Sequence, residues 1–316
     1  MSGSRETGKE NSDESVLGVL GGSGLYDLEG LTDVRELTLT TPFGEPSGPL
    51  VTGTVGGARL VFLPRHGRGH RLLPSEINYR ANVHAFRQLG VQRVLSVSAV
   101  GSLREGMEPG DLVLVDQFID KTFRRASTFF GEGVVGHVSF ADPVCADLAG
   151  VVAETAVDLG FPVAAVDERR RAAIAGRGRR LHRGGTYVCM EGPQFSTRAE
   201  SDLHRAWGAD TIGMTAATEA KLCREAELCF VALALVTDFD CWHAEQEAVT
   251  AAAVVEVLLA NVQRAKDIVR GVLPELAARP RACACGHAAQ NAIMTSREAI
   301  PAAARERLRA LYGRYL

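Results

Sequence analysis

The sequence predicts an α/β protein, a sheet of buried strands covered by helices. Three observations lead there. Short apolar runs of β character alternate along the chain with stretches of helical periodicity. No Pro/Gly/Ser-rich linker interrupts that alternation, and no internal repeat is present. The 316 residues, 46% of them hydrophobic, suffice for one large core.

The first strand is expected at 16–20 (VLGVL), halted by Gly21-Gly22-Ser23-Gly24. The next, at 59–63 (RLVFL), ends on Pro64, and helical spacing follows over 74–89. Strands at 93–98 (RVLSVS) and 111–115 (DLVLV) precede a helix at 143–159. A strand at 186–190 (TYVCM) leads to a helix at 197–207, for which Thr197 is a good N-cap. A short strand ends at Ile212-Gly213-Met214-Thr215, ahead of a helix over 216–226. The run 228–236 (LCFVALALV) reads as a fully buried strand, and a helix is expected over 247–272. A short basic amphipathic helix within 301–316 opens on Pro301. The expected organisation is a polar, disordered tail at 1–15 and one domain at 16–316, ending in a C-terminal segment, 283–316. Residues 167–183 hold seven arginines but no aromatic, which favours a solvated insertion loop over a nucleic-acid contact.

A net charge of −3 gives no electrostatic case for nucleic acid or an anionic membrane as partner. No apolar run reaches the roughly 18 residues of a spanning helix, and the N-terminus lacks an apolar signal core. Seven cysteines, an odd number with several inside apolar runs, fit a reducing cytoplasm. Cys283-Ala284-Cys285-Gly286-His287 resembles half of a metal site, but no second ligand pair has suitable spacing. A labile thiol pair or a local disulfide are alternatives; a reduced structural pair is expected, with no metal.

The chemistry concentrates where strands end. Thr237-Asp238-Phe239-Asp240-Cys241-Trp242 closes the most apolar run. Its carboxylates at i and i+2 are expected to leave the strand on one side. Ligands of open α/β sheets bind beyond the carboxyl ends of strands, and a buried carboxyl there needs a proton or a donor. A helix N-cap pair is the structural alternative. Gly21-Gly22-Ser23-Gly24 lets backbone amides approach an anion, or is a plain tight turn. It is neither a dinucleotide fingerprint, since Asp27 stands where a third glycine belongs, nor a Walker loop. In Pro64-Arg65-His66-Gly67-Arg68-Gly69-His70, Arg65 offers a planar fork to phosphate oxygens and His66 a second donor. A basic surface turn is the other reading. The small hydroxyl-rich segment 96–102, including Ser98 and Ala99, suits an oxyanion or ribose, or simply close packing. Phe195, in the segment 191–197, can stack on an aromatic ligand.

Taken in order, GGSG, PRHGRGH, NYRAN, AVGSLRE, GDLVLVDQFID, EGPQFSTRAES, IGMT and TDFDCW resemble the 5′-methylthioadenosine phosphorylases, of the trimeric purine nucleoside phosphorylase superfamily. The resemblance implies a single-domain α/β/α sandwich with a central mixed sheet, usually a homotrimer. It implies phosphate-dependent cleavage of an N-glycosidic bond, with phosphate as co-substrate and no cofactor. Matched motif by motif, Ser23, Arg65, His66, Ser98, Ala99 and Thr215 would bind phosphate. Phe195, Ser196, Ile212 and Met214 would meet base and ribose. Asp238 would bond N7 and act catalytically, Asp240 would face the 6-amino group, and His137 would enter the neighbouring subunit's site.

Relatives that use 6-oxopurines carry glutamate and asparagine where this chain has Ser196 and Asp238. A carboxylate accepts from an amino group but meets an acceptor in a 6-oxo group, and an unpaired buried acceptor costs about 1–3 kcal/mol. By position, Ala251, Val254 and Val255 would line an apolar 5′ pocket suited to methylthio, although their spacing also fits ordinary core. Ala216-Ala217-Thr218-Glu219 lacks the proline that relatives often carry. Other readings remain: a phosphorylase for another 5′-deoxy- or 5′-haloadenosine, methylthioinosine or a general purine nucleoside, a nucleosidase, or a non-catalytic sensor.

Overall fold

The computed structural model describes residues 15–22, 28–165, 179–243 and 251–316, with the side chains of 165, 251–256 and 260 outside that description. Strands β1 (Val16–Gly21), β2 (Thr32–Leu37), β3 (Leu50–Val55) and β4 (Ala58–Pro64) precede helix α1 (Tyr79–Gln88). Then come β5 (Arg93–Ser102), β6 (Leu112–Val115), β7 (Gln117–Asp120), α2 (Ala146–Asp158), β8 (Val163–Ala165), β9 (Leu181–Arg183) and β10 (Thr186–Cys189). The chain continues through α3 (Arg198–Ala206), β11 (Thr211–Gly213), α4 (Ala216–Glu225), β12 (Cys229–Asp238), α5 (Ala251–Ala278) and α6 (Ala302–Tyr312).

The described strands form one mixed sheet, ordered β2-β3-β4-β1-β5-β12-β6-β9-β8, with β7, β10 and β11 joining at one side. Its centre is parallel: β1 pairs with β4 and β5, and β5 with β12. Period-two alternation splits the core between the two faces. Val16 and Leu20 of β1 face α1, α4 and α6, packing with Phe86, Leu222 and Leu308. Leu17 and Val19 face α2 and α5, packing with Val152, Ile268 and Val272. Coverage on both faces explains why β12 reads as one continuous apolar run. The expected α/β class and mixed sheet are what the structure contains, and no described helix is long and apolar enough to cross a membrane.

Several boundaries differ from expectation. The helix expected from 74 starts at Tyr79, because Glu76 accepts from the Leu73 N–H in a turn and Asn78 supplies the cap to Ala81. Strand β2, almost wholly exposed, and the three-residue β8 and β9 carry too little apolar signal to be seen in advance. Of the Arg-rich stretch read as a loop, Leu181–Arg183 is strand β9 beside β6, while 166–178 lie outside the described residues. Strand β5 runs past Ser98 to Ser102, since its small residues let β11 pair against it, Ile212 opposite Gly101.

Candidate active site

The parallel strands β1, β4, β5 and β12 end at one edge of the sheet, where their terminal residues meet. At the end of β4, Arg65 is buried and its fork is largely spent inside the protein. Nε donates to Glu219 Oε1 at 2.6 Å and Nη1 to the Val97 carbonyl at 2.6 Å. Nη2 lies within reach of the Leu20 carbonyl, Ser96 Oγ and Glu219 Oε2. Ser96 Oγ also donates to Glu219 Oε2 at 2.6 Å. The fork expected to face phosphate therefore ties β1, β5 and α4 together, and one Nη1 hydrogen is left over among the described contacts. Glu219, which balances this buried charge, was noted in the sequence only for its missing proline neighbour.

His66 follows with Nδ1 2.9 Å from the Leu72 carbonyl, so Nδ1 carries the ring proton. Burial pushes its pKa down to about 4, and the positive charges of Arg65, His70 and Arg125 push the same way. At neutral pH the ring is neutral and Nε2 is an acceptor, which departs from the expected donor. Two guanidinium groups, Arg65 and Arg125, beside one imidazole make this corner an anion's electrostatic complement. Arg125 had no signal in the sequence, because only the tertiary fold brings it here. It donates to the Glu191 carbonyl at 2.8 Å, to the Met214 carbonyl, and to Tyr79 Oη at 3.2 Å.

Thr215 caps α4 without using its hydroxyl for the cap, leaving that group and the helix N-terminus for a ligand. Its N–H faces Tyr187 Oη, which occupies the space beside Gly213 where a Cβ would otherwise stand. Met214 packs its sulfur against Gly192, whose φ of 68° a side chain would strain. Ser98 and Ala99 are half-buried on β5, opposite Ala234 and Leu235 of β12. Ser23 lies outside the described residues.

On the β12 side, a bulge between Val236 and Asp238 turns the strand end. Asp238 Oδ1 accepts the Asp240 N–H at 2.7 Å, and the Thr237 hydroxyl lies 2.7 Å from Oδ2. Burial raises the Asp238 pKa against those two hydrogen bonds, and the neighbouring Asp240 raises it further. Asp240 adopts a left-handed φ of 51°, so a side-chain-to-backbone turn, not the pleat expected for residues i and i+2, brings the two carboxyls together. Asp240 Oδ2 is buried with no hydrogen-bond partner among the described residues. Ile212 is buried beside Gly101, and Trp242 pins the turn by donating from Nε1 to the Ser102 carbonyl at 2.7 Å.

Ser196 is tied to this turn through its carbonyl, 3.3 Å from Cys241 Sγ. Phe195 beside it is half exposed. His137 is exposed in its own chain, held by its N–H to the Ala292 carbonyl. Ala251, Val254 and Val255 fall in the first turns of α5, with side chains outside the described residues.

A mixed sheet whose buried, parallel central strands end at an anion-complementary corner and a carboxyl pair defines a ligand-binding α/β enzyme scaffold. The chain belongs to the phosphorylase superfamily, whose sequence model matches residues 16–274. It is 52% identical over 302 residues to the S-methyl-5′-thioadenosine phosphorylase of Koribacter versatilis, covering 96% of this chain and 97% of that one. The Geobacter sulfurreducens protein of the same name is also 52% identical, covering 96% and 100%. Among solved structures, a methylthioadenosine phosphorylase from an antarctic soil metagenomic library superposes with a TM-score of 0.86, at 43% identity over 95% of this chain and 99% of that one. Methylthioadenosine phosphorylase from Schistosoma mansoni, in complex with adenine, gives 0.79 at 39% identity over 84% and 93%.

Proposed function

We propose that this enzyme cleaves 5′-methylthioadenosine with inorganic phosphate, giving adenine and 5-methylthioribose 1-phosphate. It is a pentosyltransferase of the purine nucleoside phosphorylase type, and relatives half identical over nearly the whole chain support that substrate. The observation that carries the reading is the carboxyl pair. Asp238 is held toward its protonated form, and Asp240 presents a buried oxygen with no partner among the described residues.

In this reading phosphate sits among the Ser23 loop, the remaining N–H of Arg65, His66, Ser98, Ala99 and Thr215. His66 accepts from a protonated phosphate oxygen, or donates once the anion has restored its proton. Adenine stacks on Phe195 near Ser196, Ile212 and Met214, and its 6-amino group donates to Asp240. As the N-glycosidic bond lengthens, the ribosyl centre becomes oxocarbenium-like and the anionic phosphate stabilises it. Asp238 gives its proton to N7, the C1′–N9 electron pair leaves with adenine, and a phosphate oxygen attacks C1′ from the opposite face with inversion. No cofactor enters these steps. Ala251, Val254 and Val255 form the apolar 5′ pocket. A homotrimer completes the site, with His137 supplied by the neighbouring subunit. Exposed Phe123, whose N–H donates to Glu191 Oε2 beside the pocket loop, suits such an interface. The enzyme acts in the cytoplasm.

The test is adenine release, followed by chromatography with and without phosphate, from methylthioadenosine, adenosine and methylthioinosine. Phosphate-dependent release, fastest from methylthioadenosine, is expected. Faster turnover of methylthioinosine would remove Ser196 and Asp238 as selectors of the base, and turnover without phosphate would make the enzyme a hydrolase.

A further inference from the structure

The fold supplies Cys283 and Cys285 with the second ligand pair that sequence spacing lacks. Cys145 and Cys229, remote in sequence, converge on them, and the four Sγ atoms all lie within 4.8 Å of one another. None of the four is in a disulfide, and the Cys229–Cys283 pair stands at 3.2 Å. We propose that these four cysteines bind one zinc ion as a tetrahedral tetrathiolate, a structural site separate from the active site.

The geometry is close to what zinc requires. Four sulfurs at a Zn–S distance of about 2.3 Å stand about 3.8 Å apart along each tetrahedral edge. The cluster reaches that with small rotations, the Cys229–Cys283 pair opening by about 0.6 Å. Every ligand is held by an ordered element. Cys145 caps α2 and donates its N–H to the Phe230 carbonyl at 2.9 Å. Its side chain makes no capping bond, and a helix N-terminus favours a thiolate. Cys229 opens β12, with its N–H on the Gln92 carbonyl. Cys283 and Cys285 flank and enter the short 3-10 turn at Ala284–His287. Three are buried and Cys283 is partly so.

The surroundings suit the charge of −2 that zinc and four thiolates carry. Arg93, Arg279 and Arg281 line a cavity of about 350 Å³ that reaches Cys145, Cys229 and Cys283. It offers a path for the ion, and Glu154 there is already paired with Arg279. Arg281 Nε is buried and has no hydrogen-bond partner among the described residues. Binding balances as four thiols and one Zn²⁺ giving the tetrathiolate and four protons, with no change of oxidation state. Cys229 and Asp238 stand at opposite ends of β12, nine residues and about 30 Å apart. The ion therefore staples α2, β12 and the C-terminal segment and takes no part in turnover.

The test is metal analysis of the full-length protein, purified from zinc-replete cells under reducing conditions without chelator. One zinc per chain is expected, falling to background in Cys283→Ser and Cys285→Ser and persisting in Cys223→Ala, a buried cysteine outside the cluster. Should the serine variants fail to fold, a mercurial titration of the wild-type protein must release one zinc per chain. The cobalt-exchanged protein must also show the absorption of a tetrahedral tetrathiolate. Chelation should lower the melting temperature and leave the Michaelis constants unchanged. Metal-free protein with four titratable thiols, or a mass showing two disulfides, would overturn the proposal.

Discussion

Gly101 lies directly against Asp238: a Cβ at 101 would stand 2.9 Å from Oδ1 and 3.2 Å from both the Asp240 N–H nitrogen and Ile212 Cγ2. A bare backbone at this point of β5 is what allows the carboxyl to sit at the end of β12. Gly101→Ala should displace the carboxyl by a few tenths of an ångström and lower kcat by up to about 10-fold, less than the roughly 10²-fold that misplacement of about 1 Å costs. Steady-state kinetics with a thermal melt checks this. Unchanged kcat in a folded variant would show that the contact places nothing of consequence.

Asp238→Asn removes the proton that the proposed mechanism delivers to N7 but preserves shape. The rate on aminopurine nucleosides should fall by about 10²–10⁴-fold, the usual worth of a positioned acid. Activity relative to 6-oxopurines should shift toward the latter, because an amide can donate to a 6-oxo group. Burial raises the Asp238 pKa, so the protonated form extends to higher pH than for an ordinary carboxyl and is lost as pH rises through that value. The wild-type pH–rate profile should therefore fall on its alkaline side, and the variant should lack that limb. Identical profiles would take the proton from another source.

Arg65 and Glu219 form a buried pair at 2.6 Å, with both side chains almost fully enclosed. Removing one charge leaves the other unbalanced, so Glu219→Gln should destabilise the fold by about 3–5 kcal/mol. The phosphate Michaelis constant should rise more than that of the nucleoside, because the arginine that Glu219 orients stands at the anion corner. Denaturant melts and two-substrate kinetics separate the effects. Equal changes in both constants would assign Glu219 to stability alone.

His66, held at about 4 by burial and by the charges of Arg65, His70 and Arg125, should respond to the anion itself. A bound phosphate opposes those charges and favours imidazolium, so saturating phosphate should raise this pKa toward the ordinary value near 6.5. Titration of the His66 ring by NMR, assigned with a His66→Gln variant, checks it. An unmoved pKa would place the phosphate elsewhere.

The layers of this fold were legible in the sequence because burial writes itself as apolar period. Both faces of β12 and the split of Val16 and Leu20 from Leu17 and Val19 follow from that alone. Exposed β2 and the three-residue β8 and β9 carry no such period, and they went unseen. The strand-end motifs named most candidate positions, but not how they are wired. Arg65 looked like a free fork because nothing local announces Glu219, 154 positions away, as its partner. Arg125 and the Cys145–Cys229 pair were invisible for the same reason, since contacts made by packing leave no spacing to read. Asp240 shows the converse error: alternation was extended past the last strand residue, into a turn where φ is positive.

Phosphate, not water, takes the ribosyl group from adenine in a methylthio nucleoside. The most direct measurement is phosphorus NMR of the enzyme with 5′-methylthioadenosine and inorganic phosphate, with adenine quantified in parallel. A new sugar-phosphate resonance of inverted, α configuration, growing one for one with adenine, is the predicted result. Adenine appearing while the phosphate signal stays constant would make water the acceptor and the enzyme a hydrolase.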